Sequence, residues 1–381
     1  MSHVATTKLA CAQVLCSLSG DGAILPACAS YGPDSKHRMH RGLDSRKNSN
    51  MKYELGIIIS VTDRDLDEEK IKNSIESAIA QGKESMEIIL AADSVSESVI
   101  KLLSEYSQNQ DEKIKVLHTS ERRGRGGAFN LGLRNCTSEW VSFMNAGDTI
   151  SPLFAEKLLS KAAEANADVV ACANDSDTNE TDAAIFKEAE SLDEDEKQAI
   201  LIVNPGKAES KIYKRTIFEE NGLWFPENLL FEKLGIGRLA LACAKNFKYV
   251  DECLYFFDKT KENTSEEDLF ERLDVMTYFI EECYKREILE EFPEEVEAAF
   301  IDDMYMKTLF TYIAVTPPNK RKKSFLEMLQ NAILDCFPEF ETNPYYYEKY
   351  DDDIKDLVSI HIEAPGKFLK TVKNFDSVEF E

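Results

Sequence analysis

From Leu55 onward the chain alternates between unbroken apolar runs and segments whose apolar residues return every three or four positions. "LGIIISV" (Leu55–Val61) is a continuous apolar run of the kind a strand covered on both faces requires. Ile71, Ile75, Ala78 and Ile79 fall at i, i+4, i+7 and i+8, which puts them on one face of a helix. "MEIILAA" predicts a second strand, and Val99, Leu102, Leu103 and Tyr106 a second helix. "IKVLHT" is a third strand, "GGAFNLGL" opens a short helix, and "EWVSFMN" is a fourth strand. "SPLFAEKLLSKAAEANA" is a capped helix that leads into the strand "DVVACA". Strand–helix alternation at this spacing predicts a three-layer α/β domain around a mostly parallel sheet.

Between Asn174 and Glu209 the pattern fades into polar and acidic residues without a clear period, as in a long loop or insertion. The helix-like "ENLLFEKLGIGRLALACAKN" and the strand "YVDECLYFF" follow. From Ser265 the period is helical throughout. Leu269, Leu273, Met276, Phe279, Ile280 and Cys283 form one stripe, and Met304, Leu309 and Phe310 belong to another helix. These changes divide the chain into an extension (1–50), an α/β domain (51–261) and a helical region (262–381).

Composition narrows the function. A net charge of −25 argues against a nucleic-acid partner, because phosphate would be repelled without a strong local basic patch. No segment approaches the ~18 apolar residues of a membrane span. Nine cysteines without a CxxC pair or a Cys/His cluster are read as free thiols in a reducing, cytoplasmic compartment. The first fifty residues carry six Lys or Arg against three acids, +3 in all, which leaves −28 for the rest. "KLACAQVLCSLSGDGAILPACAS" imitates a signal peptide, but Gly20-Asp21-Gly22 interrupts it, so residues 1–50 read as a disordered extension or a misassigned start ahead of Met51.

Open α/β sheets bind ligands beyond the carboxyl ends of their strands. Four such ends are Thr62-Asp63, Ala92-Asp93-Ser94, Arg122–Gly127 and Asn145–Asp148. Neither GxGxxG nor GxxxxGK[ST] occurs at any of them, which argues against the common dinucleotide and P-loop modules. In order along the chain, several segments resemble those of the family-2 glycosyltransferases with the GT-A fold, especially bacterial enzymes of capsular and surface polysaccharide synthesis. "SIESAIAQGKESMEIILAADS" resembles that family's helix and the strand ending in Asp-Asp-Gly-Ser. "RRGRGGAFNLGL" resembles its Lys-Gly-x-x-x-Ala-Arg-Asn-x-Gly-Leu segment. "VSFMNAGDTISP" sits where the family has Phe-Leu-Asp-Ser-Asp-Asp, and "KIYKRTIFEENGLWFPENLLFEK" matches its Lys-Leu-Tyr-Lys-Arg…Phe-Pro-Glu…Tyr-Glu-Asp segment.

The resemblance implies a GT-A (Rossmann-like) three-layer sandwich, a nucleotide-sugar donor, a saccharide or lipid-linked acceptor, and inverting displacement at the anomeric carbon. It also implies Mn²⁺ or Mg²⁺ at the diphosphate and a carboxylate base. Thr62, Asp63, Ala92, Asp93, Arg123, Asn130 and Asn145 are then the candidate donor-binding residues, Asp148 the metal ligand, and Glu232 and Lys233 the candidates at the base position. The sequence departs from the family at most of these points. Ala92 replaces the aspartate that meets the nucleotide base, and Asp93 reads equally as a cap. Asn145 and Gly147 replace the usual acid pair and leave Asp148 alone, which could also cap the next helix.

Lys233 stands where the catalytic aspartate belongs. To act as a base it would have to ionise about 3 pH units lower than usual, roughly 4 kcal/mol. Phe129 and Asp258 replace two arginines, while Arg122, Arg123 and Arg125 could still meet phosphate at a helix start. Two functions remain open: an active hexosyltransferase, and a silent relative that binds a sugar, a nucleotide or a partner. The basic "NKRKKSF" (319–325) fits either docking to an anionic inner membrane face or a solvated helix start. "YDDDIKD" (350–356) is a solvated acidic face. If residues 1–50 are an extension, a chain beginning at Met51 will melt at nearly the temperature of the full chain; a drop of several degrees, on the order of 1 kcal/mol, would show that they pack on the domain.

Overall fold

The computed structural model describes residues 52–64, 67–82, 84–109, 113–259 and 265–374; the reading of residues 1–50 falls outside them. β1 (Tyr53–Thr62) carries the first apolar run and lies between β2 (Met86–Asp93) and β4 (Ser138–Asn145), parallel to both. α1 (Glu68–Ile79) joins β1 to β2; the Asp67 side chain accepts the Glu69 and Lys70 amides at its start, and Ile71, Ser74, Ile75 and Ala78 are buried on one face. α2 (Glu97–Asn109), β3 (Ile114–Thr119), α3 (Gly124–Asn135) and β4 (Ser138–Asn145) complete this half. α3 lies close to β1, and a side chain at Gly132 would drive its Cβ to 2.3 Å from Ile58.

The second half adds β5 (Thr149–Ile150), α4 (Phe154–Ala165), β6 (Val169–Asn174), α5 (Asn179–Ala189), α6 (Glu194–Val203), β7 (Lys211–Lys214), α7 (Arg215–Asn221), α8 (Lys233–Ala242) and β8 (Phe247–Phe256). The eight strands form one sheet in the order β3-β2-β1-β4-β7-β6-β8-β5. The β1, β2, β3 and β4 pairings and the β6–β8 pairing are parallel. β7 runs antiparallel between β4 and β6, and β5 antiparallel to β8. This is the mostly parallel, helix-flanked sheet the alternation predicts.

Residues 174–209 depart from the loop expected there, because they hold α5 and α6. Each helix buries only a few residues: Ala183, Phe186 and Ala189 on α5, and Leu201, Ile202 and Val203 on α6. So few apolar positions among so many acids leave no visible period. The helical region begins with α9 (Glu266–Lys285), whose Ser265 and Asp268 form a reciprocal capping box. By its contacts the chain divides after Met304 rather than near residue 262. α9 packs on α8, and a buried Arg238–Asp303 ion pair ties the end of this stretch to the sheet unit.

The other unit, described from Tyr305 to Asn374, is helical. At its centre the buried His361 shares a 2.7 Å hydrogen bond with the Tyr305 hydroxyl and lies 3.1 Å from the Leu326 carbonyl. Burial pushes its imidazole down to about 4, so it is neutral at pH 7. Within the basic segment, Arg321 donates to the carbonyls of Ile313, Thr316 and Val372, while Lys320, Lys322 and Lys323 are exposed.

One buried charge fastens the sheet at the opposite end from its ligand edge. The fully buried Glu87 on β2 accepts hydrogen bonds from the Thr137 amide (2.6 Å), the Ser138 hydroxyl (2.6 Å) and Lys115 (2.5 Å). Burial raises its carboxyl, but Lys115, Ser138 and Thr137 outweigh that and hold it below the ordinary glutamate value. Because its folded value is depressed, its contribution to stability is present above the unfolded glutamate value and lost as pH falls through the folded one. Glu87→Ala is expected to cost about 3 kcal/mol in urea denaturation at pH 7; a loss under about 1 kcal/mol would show that the network holds nothing.

Candidate functional site

Strand register brings the ligand edge together. Thr62 on β1 lies beside Asp93 on β2, and Ser60 beside Asn145 on β4. A cavity of about 210 Å³ opens at this edge, lined among others by Thr62, Asp63, Gly124, Arg125, Asn228 and Glu232. Arg122, also on its wall, pairs with Asp63 at 2.9 Å. Glu232 reaches the cavity because the loop before α8 is stitched to α3. Buried Asn130 donates to the Phe225 carbonyl and accepts the Phe225 amide, each at 2.9 Å, and the Asn228 amide donates to the Arg123 carbonyl at 2.7 Å. α3 itself runs so close to this loop that a Cβ at Gly126 would sit 2.0 Å from the Pro226 carbonyl oxygen.

Several expected donor residues do other work. The buried Asp93 accepts the amides of Arg123 (3.0 Å) and Gly124 (2.8 Å). A carboxylate of the protein thus already occupies the anion-attracting start of α3. Burial raises its carboxyl above the ordinary aspartate value, and the two amides only partly offset this. Ala92 is fully buried in the core. The Arg123 guanidinium is held by Glu121 and, at 3.4 Å, by Glu227. Asn130 is committed to Phe225 and Glu227. None of these four lines the cavity, whereas Thr62, Asp63 and Glu232 do. Phe129 packs edge-on against Phe143 and tilted against Phe225, which places this position in the aromatic core.

Behind the cavity, the end of β4 carries a second polar group. Ser74 of α1 accepts the Gly147 amide (2.8 Å) and donates to the Asp148 carbonyl (2.7 Å), which fixes the Asn145–Asp148 turn. Asp148 is 3% exposed. Its Oδ1 accepts the Asp258 amide at 2.9 Å, and its Oδ2 accepts the Tyr255 hydroxyl at 2.7 Å and Asn145 Nδ2 at 3.2 Å. Burial, then the nearby Glu209, push its carboxyl up to about 6 against these donors and Lys233.

Lys233 Nζ donates to Asn145 Oδ1 and to Glu209 Oε1, both at 2.7 Å, lies 3.6 Å from Glu232, and sits over the Phe129 ring. Burial pulls Lys233 down, but Glu209 and Glu232 more than reverse it and raise the ammonium above its usual value. Lys233 is therefore a bound cation, and the role of base is incompatible with it. Lys233 in turn holds buried Glu209 below the ordinary glutamate value, against the burial that would raise it. Sequence reasoning missed Glu209, since it lies in the acidic stretch read as loop; its position two residues before β7 was the available signal.

These residues do not fit a divalent cation. Among the described residues no three His, Cys, Asp or Glu side chains come together as ligands. Asp148 gives both carboxylate oxygens to protein donors, and Lys233 holds the Asn145 oxygen.

Comparison with known proteins agrees with the fold and the segment order. Residues 56–225 match the family model for glycosyl transferase family 2. The chain is 29% identical over 164 residues to EpsH of Bacillus subtilis, which spans 41% of this chain and 46% of that protein. It is 25% identical over 99 residues to the succinoglycan biosynthesis protein ExoO of Rhizobium meliloti, 26% of this chain and 28% of that one. The chain thus spans less than half the length of either relative. The fold is also that of S. aureus TarS 1–349, solved in complex with UDP-GlcNAc, with a TM-score of 0.60 at 16% identity over 85% of this chain and 90% of that one. Residues 56–225, just under half of this chain, are thus similar to glycosyltransferase family 2, and they supply part of the cavity wall at the ends of β1 and β2.

Proposed function

We propose that this chain transfers a sugar, with inversion, from a nucleotide-sugar donor to a saccharide or lipid-linked acceptor in the synthesis of a surface polysaccharide. The observation that carries the reading is the cavity in which Glu232 faces Thr62, Asp63 and Arg125 at the strand ends. The role of ExoO in succinoglycan biosynthesis and the UDP-GlcNAc bound by TarS supply the class of product and of donor. Thr62 and Asp63 meet the nucleotide, and Arg122 and Arg125 meet the diphosphate. Glu232 takes the proton of the acceptor hydroxyl as its oxygen attacks the anomeric carbon, and the nucleoside diphosphate leaves on the opposite face with the bonding electron pair. Lys233, a bound cation, orients this end of the site rather than moving a proton. No step is assigned to a metal.

Among the described residues no helix is long and apolar enough to cross a membrane. Peripheral contact with an anionic membrane face would rest on Lys320, Lys322 and Lys323, since Arg321 is committed to backbone carbonyls. The test of the activity is release of nucleoside diphosphate from a panel of nucleotide sugars, beginning with UDP-GlcNAc. Glu232→Gln should lower transfer about 10²–10⁴-fold while donor affinity stays within a few-fold. Undiminished transfer by Glu232→Gln, or no consumption of any donor, would overturn the assignment.

A further inference from the structure

The strand end that a divalent cation would serve is built as though the cation were already present. Its three acids are all engaged. Glu209 is paired with Lys233 at 2.7 Å, Asp258 with Lys70 at 2.6 Å, and Asp148 takes three donors from Tyr255, Asn145 and the Asp258 amide. A neutral oxygen ligand at this strand end, Asn145 Oδ1, is bonded to Lys233 Nζ. Gly147 cannot readily be exchanged for a further acid. Its φ is +107°, and a Cβ there would come 2.9 Å from Asp258 Oδ2. Mg²⁺ and Mn²⁺ need several oxygens in near-octahedral array, and here Asn145 Oδ1, Glu209 Oε1 and both Asp148 carboxylate oxygens would first have to leave a lysine or another donor.

We propose that this site excludes divalent cations and that the ammonium of Lys233 is its built-in countercharge. Its meaning for catalysis rests on the donor-binding reading above, but the exclusion itself does not. The positive charge is held from both sides by Glu209 and Asn145 and lies over the Phe129 ring, 5.3 Å from its centroid. A fixed lysine supplies one charge whose desolvation cost is met on folding rather than on binding an ion. Its removal leaves Glu209 and Glu232, the two carboxylates beside it, with no cation between them. Asn145 Nδ2 already spans Asp148 and Glu209, at 3.2 and 3.4 Å.

The experiment is a Mn²⁺ titration of the full chain, followed by thermal melting and by electron paramagnetic resonance of free Mn²⁺. Wild type should bind no Mn²⁺ in a manner that depends on Asp148, and its melting temperature should move by less than about 1 °C at millimolar Mn²⁺. Lys233→Ala should melt lower, yet gain a Mn²⁺ site that raises its melting temperature by ~4 °C or more; adding Glu209→Gln should erase that gain. If Lys233→Ala does not fold, Lys233→Met carries the same test with more of the side-chain volume kept. Stoichiometric Mn²⁺ binding by wild type that is lost in Asp148→Asn would overturn the proposal, as would a Lys233 variant that folds and ignores Mn²⁺.

Titration with UDP separates the two readings. Affinity unchanged within about twofold by EDTA supports a metal-free site, and binding that appears only with Mn²⁺ refutes it. Absence of UDP binding in both conditions would count against the donor assignment, while the Mn²⁺ arm still decides the exclusion.

Discussion

The ammonium of Lys233, bonded at 2.7 Å to both Asn145 and Glu209, is the contact on which the rest of this site depends. A buried ion pair is costly to desolvate and is kept only where its geometry is good and its remaining atoms are satisfied. Here both conditions hold. The pair connects the start of α8 to the end of β4 and to the segment entering β7. The same contact holds Glu209 ionised and keeps Lys233 protonated, while adjacent Glu232 lines the cavity together with Asp63 and Glu271.

A second constraint acts on the other side of the cavity. Asp93 closes the start of α3 with a carboxylate, and Asn130 pins Phe225 so that the loop leading to Glu232 follows α3. Residues that sequence alone assigns to the donor thus become the frame that shapes the space. Three arginines, Arg64, Arg122 and Arg125, stand on the cavity wall, where Arg122 shares its charge with Asp63. Substitutions are concentrated at strand ends while the strands stay intact, which is the pattern of a retained scaffold with altered site chemistry.

The fold was legible because burial on both faces writes continuous apolar runs, as in Leu55–Val61, and amphipathic helices write a 3.6 period, as in Ile71, Ile75 and Ala78. It was illegible where burial is thin. α5 and α6 each rest on a few apolar contacts within an acidic surface, so residues 174–209 looked like a loop. The division near Met304 was equally hidden, since it depends on α9 packing against α8 and on the Arg238–Asp303 pair, both distant in sequence. At the site, position along the chain identified the strand ends, and the cavity does contain Thr62, Asp63 and Glu232. Which way a side chain turns was not written there. Asp93 turns to backbone amides, and Lys233 turns inward to Glu209, a residue with no local motif of its own.

The central claim is that Lys233 and Glu209 act as one unit in stabilising this end of the sheet. A double-mutant cycle in urea denaturation, with Lys233→Met, Glu209→Gln and the pair together, measures that directly. The account predicts a coupling of about 2 kcal/mol or more between them, with the double variant more stable than either single one, because each single change strands a buried charge. Additive losses, with coupling below about 0.5 kcal/mol, would contradict it.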